Sequence, residues 1–462
     1  MQNNSAFEKM TTDYQYMKES DRNPYTETQD QPDETAQLNI IDSNNDVDDK
    51  LSVESFASTA KVESTSFRAT ATFIKSYIGS GILVLPYNFA LLGLGPSLIL
   101  LAMAAVMNYI GMASILRISD TLDIGKLDYP KLNKFILGRA ARVFCEFNFL
   151  FMQLGVSIAG LVFSMRFLTQ ISCDLGWEFL CDQEWHVYVI ILLIILGTSA
   201  ITDIHHLAIP MMIGCFLQAL FLFSYGGEMI SQLATNGVAG GFVNQLFKFD
   251  ANSFISVLGV IIYDFEGVGC LLEVRNSVGR RTFWKVFRVS FGIVVAIATL
   301  CGVLGSLALG SDANEILFLS MPRTTYFLVL EFAYVLGILL GTQTIFFPIL
   351  RLIENWKIFR KILQDPATGR KSNARRLIVR FGVNIMCFVI AVFIPSYNLF
   401  ISFLGSINFT FICFVIPALL FLKHFPSAKR SLYGILNTNN LILGSIFGAV
   451  GGVYNFIQLI KS

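Results

Sequence analysis

Two of the long apolar stretches in this chain carry glycine where a membrane-spanning helix tolerates it least. One reads FIKSYIGSGILVLPYNFALL over Phe73–Leu92, with Gly79, Ser80 and Gly81 near its middle. The other reads SFISVLGVIIYDFEGVGCLLEVR over Ser253–Arg275, with Asp264, Phe265, Glu266, Gly267, Val268 and Gly269 in one run. Hydrocarbon offers no water to a freed peptide N–H or C=O, so a broken helix persists only where those groups line a cavity or hold a ligand. Each broken stretch opens a set of five apolar segments. Paired breaks in corresponding halves mark a binding site built from discontinuous helices, the arrangement of many transporters.

The remaining segments set the architecture. Only 15% of the 462 residues are charged and 54% are hydrophobic, against roughly 25% charged in an ordinary soluble domain. A helix needs ~20 mostly apolar residues to span a bilayer. Eleven stretches qualify, near 69–92, 95–119, 143–170, 186–202, 207–232, 252–275, 284–308, 323–353, 376–395, 397–422 and 436–459. The pattern predicts an all-α polytopic membrane protein with eleven transmembrane helices. Ten form a five-plus-five inverted repeat, because five is odd and the second set starts in the opposite orientation; the eleventh is an addition. That repeat and its extra helix occupy residues 66–460.

Charge fixes the expected orientation. Residues 1–65 hold 14 acids and 5 bases, and their polar composition cannot bury a core. They read as a disordered, acidic cytosolic tail, with no cleavable signal pattern before it. With that tail inside, the loops at 120–142, 275–288, 351–380 and 423–430 are cytosolic and carry 5, 5, 9 and 3 Lys/Arg. The loops at 93–96, 173–184, 235–250 and 309–322 fall outside and hold one base, Lys248. Inside-positive loops are the rule for multi-pass proteins. Cys173 and Cys181 share one polar loop on the outer side, where a disulfide is possible if that side is oxidising. No phosphate-binding loop, zinc spacing or nucleophile elbow is present, so no enzyme activity, metal, organic cofactor or nucleic-acid partner is expected.

Several short patterns resemble the amino acid/auxin permease family, which includes the proton-coupled and vacuolar amino acid transporters. Gly79-Ser80-Gly81-Ile82-Leu83 with Leu85-Pro86 is similar to the family's first helix. Gln153-Leu154-Gly155, Phe265-Glu266-Gly267 and Leu404-Gly405-Ser406 with Pro417 follow in order, and Gln343 stands where relatives often carry glutamine. Tyr77 departs from the pattern, occupying a place where relatives often have Asn or another small or polar residue. The resemblance covers roughly 66–460. It implies a fold like that of the amino acid–polyamine–organocation transporters, with an amino acid held at the midplane and often moved with a proton.

The residues themselves suggest how such a ligand is held. A helix N-terminus at Gly79, Ser80 and Gly81 suits a carboxylate, with Ser76 and Tyr77 leading into it and Gln153 and Gln343 offering amides from other spans. The alternative for the glycines is close helix packing. Carbonyls around Phe265 and Gly267 suit an ammonium, and Tyr263 with Phe265 either gates the site or fills core. Asp264, Glu266 and Glu331 are candidates for proton coupling, since an acid inside the membrane is functional by default; the alternative is a hydrogen-bonded structural acid. Thr342, Gln343 and Thr344 leave a sodium-coupled carrier open, with H+ as the first expectation and Na+ as the second. An amino-acid sensor signalling to a cytosolic partner through the tail is a third reading. Vacuolar, lysosomal and plasma membranes all remain open.

Overall fold

The computed structural model describes residues 66–122, 128–181, 183–200, 204–278, 280–355 and 373–461. Among these residues the ordered elements are all helical. Eight helices are long and apolar enough to cross a membrane, and Gly81–Leu92 and Glu184–Ser199 are shorter apolar helices. The chain is thus an all-α polytopic membrane protein. The acidic segment 1–65 lies outside the described residues.

Both glycine-bearing stretches are interrupted. The first comprises α1 (Ser66–Tyr77), a 3-10 turn at Gly81–Val84 and α2 (Leu85–Leu92). Pro86 sits in the first turn of α2, where its missing N–H would have had no partner in any case. Gly93, with φ of 110°, reverses the chain into α3 (Leu94–Thr121); this backbone region strains any residue bearing a Cβ. An amphipathic helix, α4 (Tyr129–Leu137), precedes α5 (Arg139–Asp174), α6 (Glu184–Ser199) and α7 (Ile204–Asn236).

The second broken stretch comprises α8 (Phe254–Asp264) and α9 (Val268–Val278). Asp250 anchors the entry to α8, accepting the Ser253 hydroxyl at 2.5 Å and the Asn252 amide at 3.1 Å. Those bonds, the Ser253 hydroxyl first, hold its carboxyl below the usual carboxylate range. There follow α10 (Arg280–Leu309), α11 (Thr325–Asn355), α12 (Asn373–Val392), α13 (Tyr397–Leu404), α14 (Ile416–His424) and α15 (Leu432–Lys461). Two π-helical turns, Gly405–Phe409 and Phe411–Val415, join α13 to α14.

Packing brings the two interrupted stretches together. Helix α10 lies against both α1 and α2, and α8 lies against α13. The α8 contact is backbone on backbone: a Cβ on Gly405 would fall 1.9 Å from the Gly259 carbonyl oxygen. Small residues give membrane helices this close approach. At the predicted cytosolic edge, Arg275 of α9 donates to the Ser119 hydroxyl and to Asp120, each at 2.6 Å, and Trp284 of α10 donates to the other Asp120 oxygen at 2.8 Å. The second half of the α8–α9 pair is thereby tied to α3 and α10.

The last helix is more than an addition. Its buried face is a ladder of Gly and Asn: Gly434, Asn437, Asn440, Gly444, Gly448, Gly451, Gly452 and Asn455. Asn437 accepts from Ser114 at 2.9 Å, Asn440 donates to the Met107 carbonyl at 2.8 Å, and Asn455 bridges Ser256 and Ser406 at 2.7 and 2.8 Å. These bonds fasten α15 to α3, α8 and the π-turns.

Candidate functional site

The backbone leaves helical geometry in both interrupted stretches, and the two openings face each other. After Tyr77 the chain passes through Ile78, Gly79 and Ser80 before turning at Gly81. Neither the Gly79 nor the Ser80 amide donates to another backbone carbonyl among the described residues. They lead into the 3-10 turn at Gly81–Val84, with Ser80 as its N-cap, where backbone donors lack helical partners. After Asp264 the chain unwinds through Phe265, Glu266 and Gly267.

Two side chains from neighbouring helices satisfy freed carbonyls. The Tyr334 hydroxyl of α11 donates to the Gly79 carbonyl at 2.9 Å. The Asn108 amide of α3 donates to the Phe265 carbonyl at 2.6 Å. An unwound segment in hydrocarbon needs such partners, so these residues define where the openings can exist.

Each opening is covered by a side chain of the other. A Cβ on Gly81 would lie 1.9 Å from Asp264 Oδ1 and 2.9 Å from the Tyr263 ring, while one on Gly267 would lie 2.0 Å from the Tyr77 hydroxyl. Gly81 and Gly267 are therefore the floors on which Asp264 and Tyr77 rest. Tyr77 fills the place over Gly267 and donates to Met112 Sδ at 3.3 Å. Ser76 donates to the Phe73 carbonyl at 2.7 Å and accepts from the Cys270 thiol at 3.1 Å, linking α1 to α9.

The two acids of the second opening have different surroundings. Glu266 Oε1 accepts the Gly269 amide at 3.0 Å, capping the start of α9 as an N-terminal acceptor does. Asp264 Oδ2 is buried and has no hydrogen-bond partner among the described residues. The Asp264 side chain borders a cavity of about 10 Å³ with Tyr77, Ile78, Ile82, Val294, Ile297 and Ala298. That space admits a single water, so the openings are closed on one another in this conformation. Tyr263 packs on Phe409 at 4.9 Å between centroids, and Phe265 on Phe291 at 6.1 Å, forming an aromatic shell on either side. Ser80, buried, lies beside the hydroxyls of Tyr263 and Tyr397.

Glu331 of α11 is 1% exposed, and its Oε2 has no hydrogen-bond partner among the described residues. It precedes Tyr334 by one helical turn on the same face. Gln153 sits half-buried on α5, and among the described residues no side-chain hydrogen bond joins it to either opening. The side chains of Gln343 and Thr344 lie outside the described residues. The Thr342 hydroxyl is engaged within its own helix, donating to the Ile338 carbonyl at 2.9 Å. Cys173 and Cys181 are joined as a disulfide across eight positions.

Sequence reasoning passed over Asn108, Tyr334 and Tyr397, which lie beside the openings, and Lys75, whose buried Nζ lies beside Cys215. Asn108 and Lys75 carried a readable signal, being strongly polar within apolar runs. Tyrosines in a chain with 15 Tyr and 42 Phe carried none.

The family described as "Transmembrane amino acid transporter protein" matches residues 63–460. The chain is 28% identical over 417 residues to Vacuolar amino acid transporter 3 of Saccharomyces cerevisiae, with 86% of this chain and 57% of that protein covered. It is 25% identical over 364 residues to Vacuolar amino acid transporter 3 of Schizosaccharomyces pombe, covering 77% of this chain and 53% of that protein. Against Amino acid transporter AVT3C of Arabidopsis thaliana the identity is 23% over 424 residues, covering 86% and 92%. The chain thus spans just over half the length of the two yeast relatives and nearly all of the plant one.

Proposed function

From the premise that the chain belongs to the transmembrane amino acid transporter family, we propose that it is a secondary active carrier of amino acids. The Gly79 and Ser80 amides receive the substrate carboxylate, at a helix N-terminus that favours negative charge. The ammonium rests on carbonyls of the Asp264–Gly267 segment, beside the Asp264 carboxyl. The observation that carries this reading is the face-to-face arrangement of the two openings, with Asp264 lying on Gly81.

The coupling ion in this reading is a proton carried by Asp264. Its Oδ2 has no partner, and an unpaired ionised acid in hydrocarbon is costly. Neutral Asp264 can lie on Gly81 in the closed conformation. Ionised Asp264 attracts an incoming ammonium and favours an opened one. Glu266 is committed to capping α9 and is the structural acid of the pair. Alternating access then consists of one helix bundle rocking against the other around the openings. The vacuolar names of the yeast relatives support a vacuolar membrane as the site of action.

Purified full-length chain in proteoliposomes, tested with radiolabelled L-amino acids under imposed proton or sodium gradients, checks the reading. Uptake should follow the proton gradient in wild type. Asp264→Asn should lose that dependence while keeping exchange between internal and external substrate. Sodium-driven uptake indifferent to pH would overturn the proton assignment, and absence of uptake for every amino acid would overturn the carrier assignment.

A further inference from the structure

A second cavity, of about 580 Å³, opens at the opposite edge from the Lys/Arg-rich loops, where α5, α6, the segment before α11 and the end of α12 meet. It is separate from the two helix openings, and the function proposed above makes no use of it. Its size falls within the range of small-ligand sites. Its lining includes Arg166, Thr169, Gln170, Glu184, Tyr188 and Glu315.

Arg166 is the unusual member. It donates to the backbone carbonyls of Ile394 and Pro395, and among the described residues no carboxylate pairs with it. A guanidinium has five N–H donors, so further donors remain on its edge. Arg166 is half-buried near the end of its span, where its head reaches the polar interface and can take an anionic partner. Thr169, one turn further along the same face of α5, has a buried hydroxyl with no hydrogen-bond partner among the described residues. Gln170 donates to Asp174 at 3.3 Å.

The same cavity also holds acids. Glu184 accepts the Tyr188 hydroxyl through Oε2 at 2.8 Å. Glu315 accepts the Ser396 hydroxyl at 3.0 Å and the Asn398 amide, both through Oε1. One oxygen of each carboxylate is thus committed and the other is left over. A cation without a paired carboxylate, a hydroxyl without a partner among the described residues and two partly used carboxylates around one open-mouthed cavity match a ligand bearing both charges.

We infer that this cavity is a binding site for a small zwitterion, its anionic group on Arg166 and Thr169 and its primary ammonium on Glu184 and Glu315. Two sources share that chemistry: a free amino acid and the head group of an aminophospholipid. Because Arg166 and Glu315 hold the connection from α12 to α13, occupancy is placed to stiffen the link between those helices.

The test uses full-length protein in nanodiscs of phosphatidylcholine, whose quaternary nitrogen has no N–H to donate, with and without phosphatidylethanolamine. Equilibrium binding of radiolabelled L-amino acids is measured alongside native mass spectrometry of retained lipid. A free amino acid as ligand gives two classes of binding in phosphatidylcholine. Arg166→Gln and Thr169→Trp each lose one class and keep the class that Gly81→Val removes, and N-acetylated amino acids fail to compete for it. A head group as ligand gives selective retention of phosphatidylethanolamine, lost in the same two variants. Since Arg166 also holds backbone, Thr169→Trp, which fills the cavity and removes no bond, guards against a folding artefact, and Glu184→Gln should weaken either ligand about tenfold. A single amino acid class unaffected by Arg166→Gln and Thr169→Trp, with no selective lipid retention, overturns the inference and leaves the carrier reading in place.

Discussion

Gly81→Ala and Gly79→Ala should behave very differently, although the two residues are neighbours in one short motif. A Cβ on Gly81 would fall 1.9 Å from Asp264 Oδ1 and 2.9 Å from two Tyr263 ring carbons, where ordinary contact begins at 3.4 Å. The carboxyl must therefore retreat by about the difference, and it is held between the two openings with little free space around it. Overpacking of this kind costs about 1–3 kcal/mol. At 1.4 kcal/mol per factor of ten, the closed conformation is disfavoured roughly 5- to 150-fold, and maximal uptake, which must return through it, falls accordingly. A Cβ on Gly79 meets nothing within 4 Å, and Gly79 is not among the glycines of positive φ. Its alanine variant should stay within about twofold of wild type. The assay is concentration-dependent uptake into proteoliposomes, normalised to monodisperse protein. A second arm pairs Gly81→Ala with Asp264→Ala, where removing the carboxyl relieves the clash, so the two effects should be non-additive. Equal effects of the two glycine variants, or strict additivity in the double variant, would show that Asp264 does not rest on Gly81.

Other outcomes follow from the same geometry. Tyr334→Phe leaves the Gly79 carbonyl without its donor, a loss of about 1–3 kcal/mol, and should slow uptake and lower the thermal midpoint; unchanged values would remove Tyr334 from the opening. Glu266→Gln keeps an acceptor for the Gly269 amide and should retain proton-driven uptake, whereas Glu266→Leu should destabilise the protein in thermal unfolding. Arg275→Gln breaks a pair whose side chains are 7% and 28% exposed, at a cost of about 3–5 kcal/mol for a buried pair; a thermal midpoint equal to wild type would mean that the bridge holds nothing. Asn455→Leu removes the link between Ser256 and Ser406 and should impair uptake more than a lipid-facing change such as Ile446→Ala.

Much of this architecture was legible because membrane helices announce themselves by length and apolarity. The interruptions were legible for a related reason: Gly79-Ser80-Gly81 and Phe265-Glu266-Gly267 stand out against the apolar runs that contain them. Which acid does what was not legible. Asp264 and Glu266 are two residues apart with similar chemistry, and only the position of the Gly269 amide distinguishes them. Tyr77 looked like a departure from the family pattern, and the structure gives it a neighbour, Gly267, that could not be guessed from 190 positions away. Helix α15 looked peripheral because its span lies outside the expected repeat. Its Asn437, Asn440 and Asn455 stand on one face with glycines between them, a stripe that a periodicity reading could have caught. The 580 Å³ cavity was hidden, since it joins residues from four separate parts of the chain.

Imaging the full-length chain by electron cryomicroscopy with its transported amino acid at saturating concentration bears on the whole account. The predicted result is ligand density between the two unwound segments, its carboxylate within hydrogen-bond distance of the Gly79 and Ser80 amides and its ammonium beside the Phe265–Gly267 backbone. Density lodged elsewhere, with both segments still closed on each other as Asp264 on Gly81 and Tyr77 on Gly267, would contradict it.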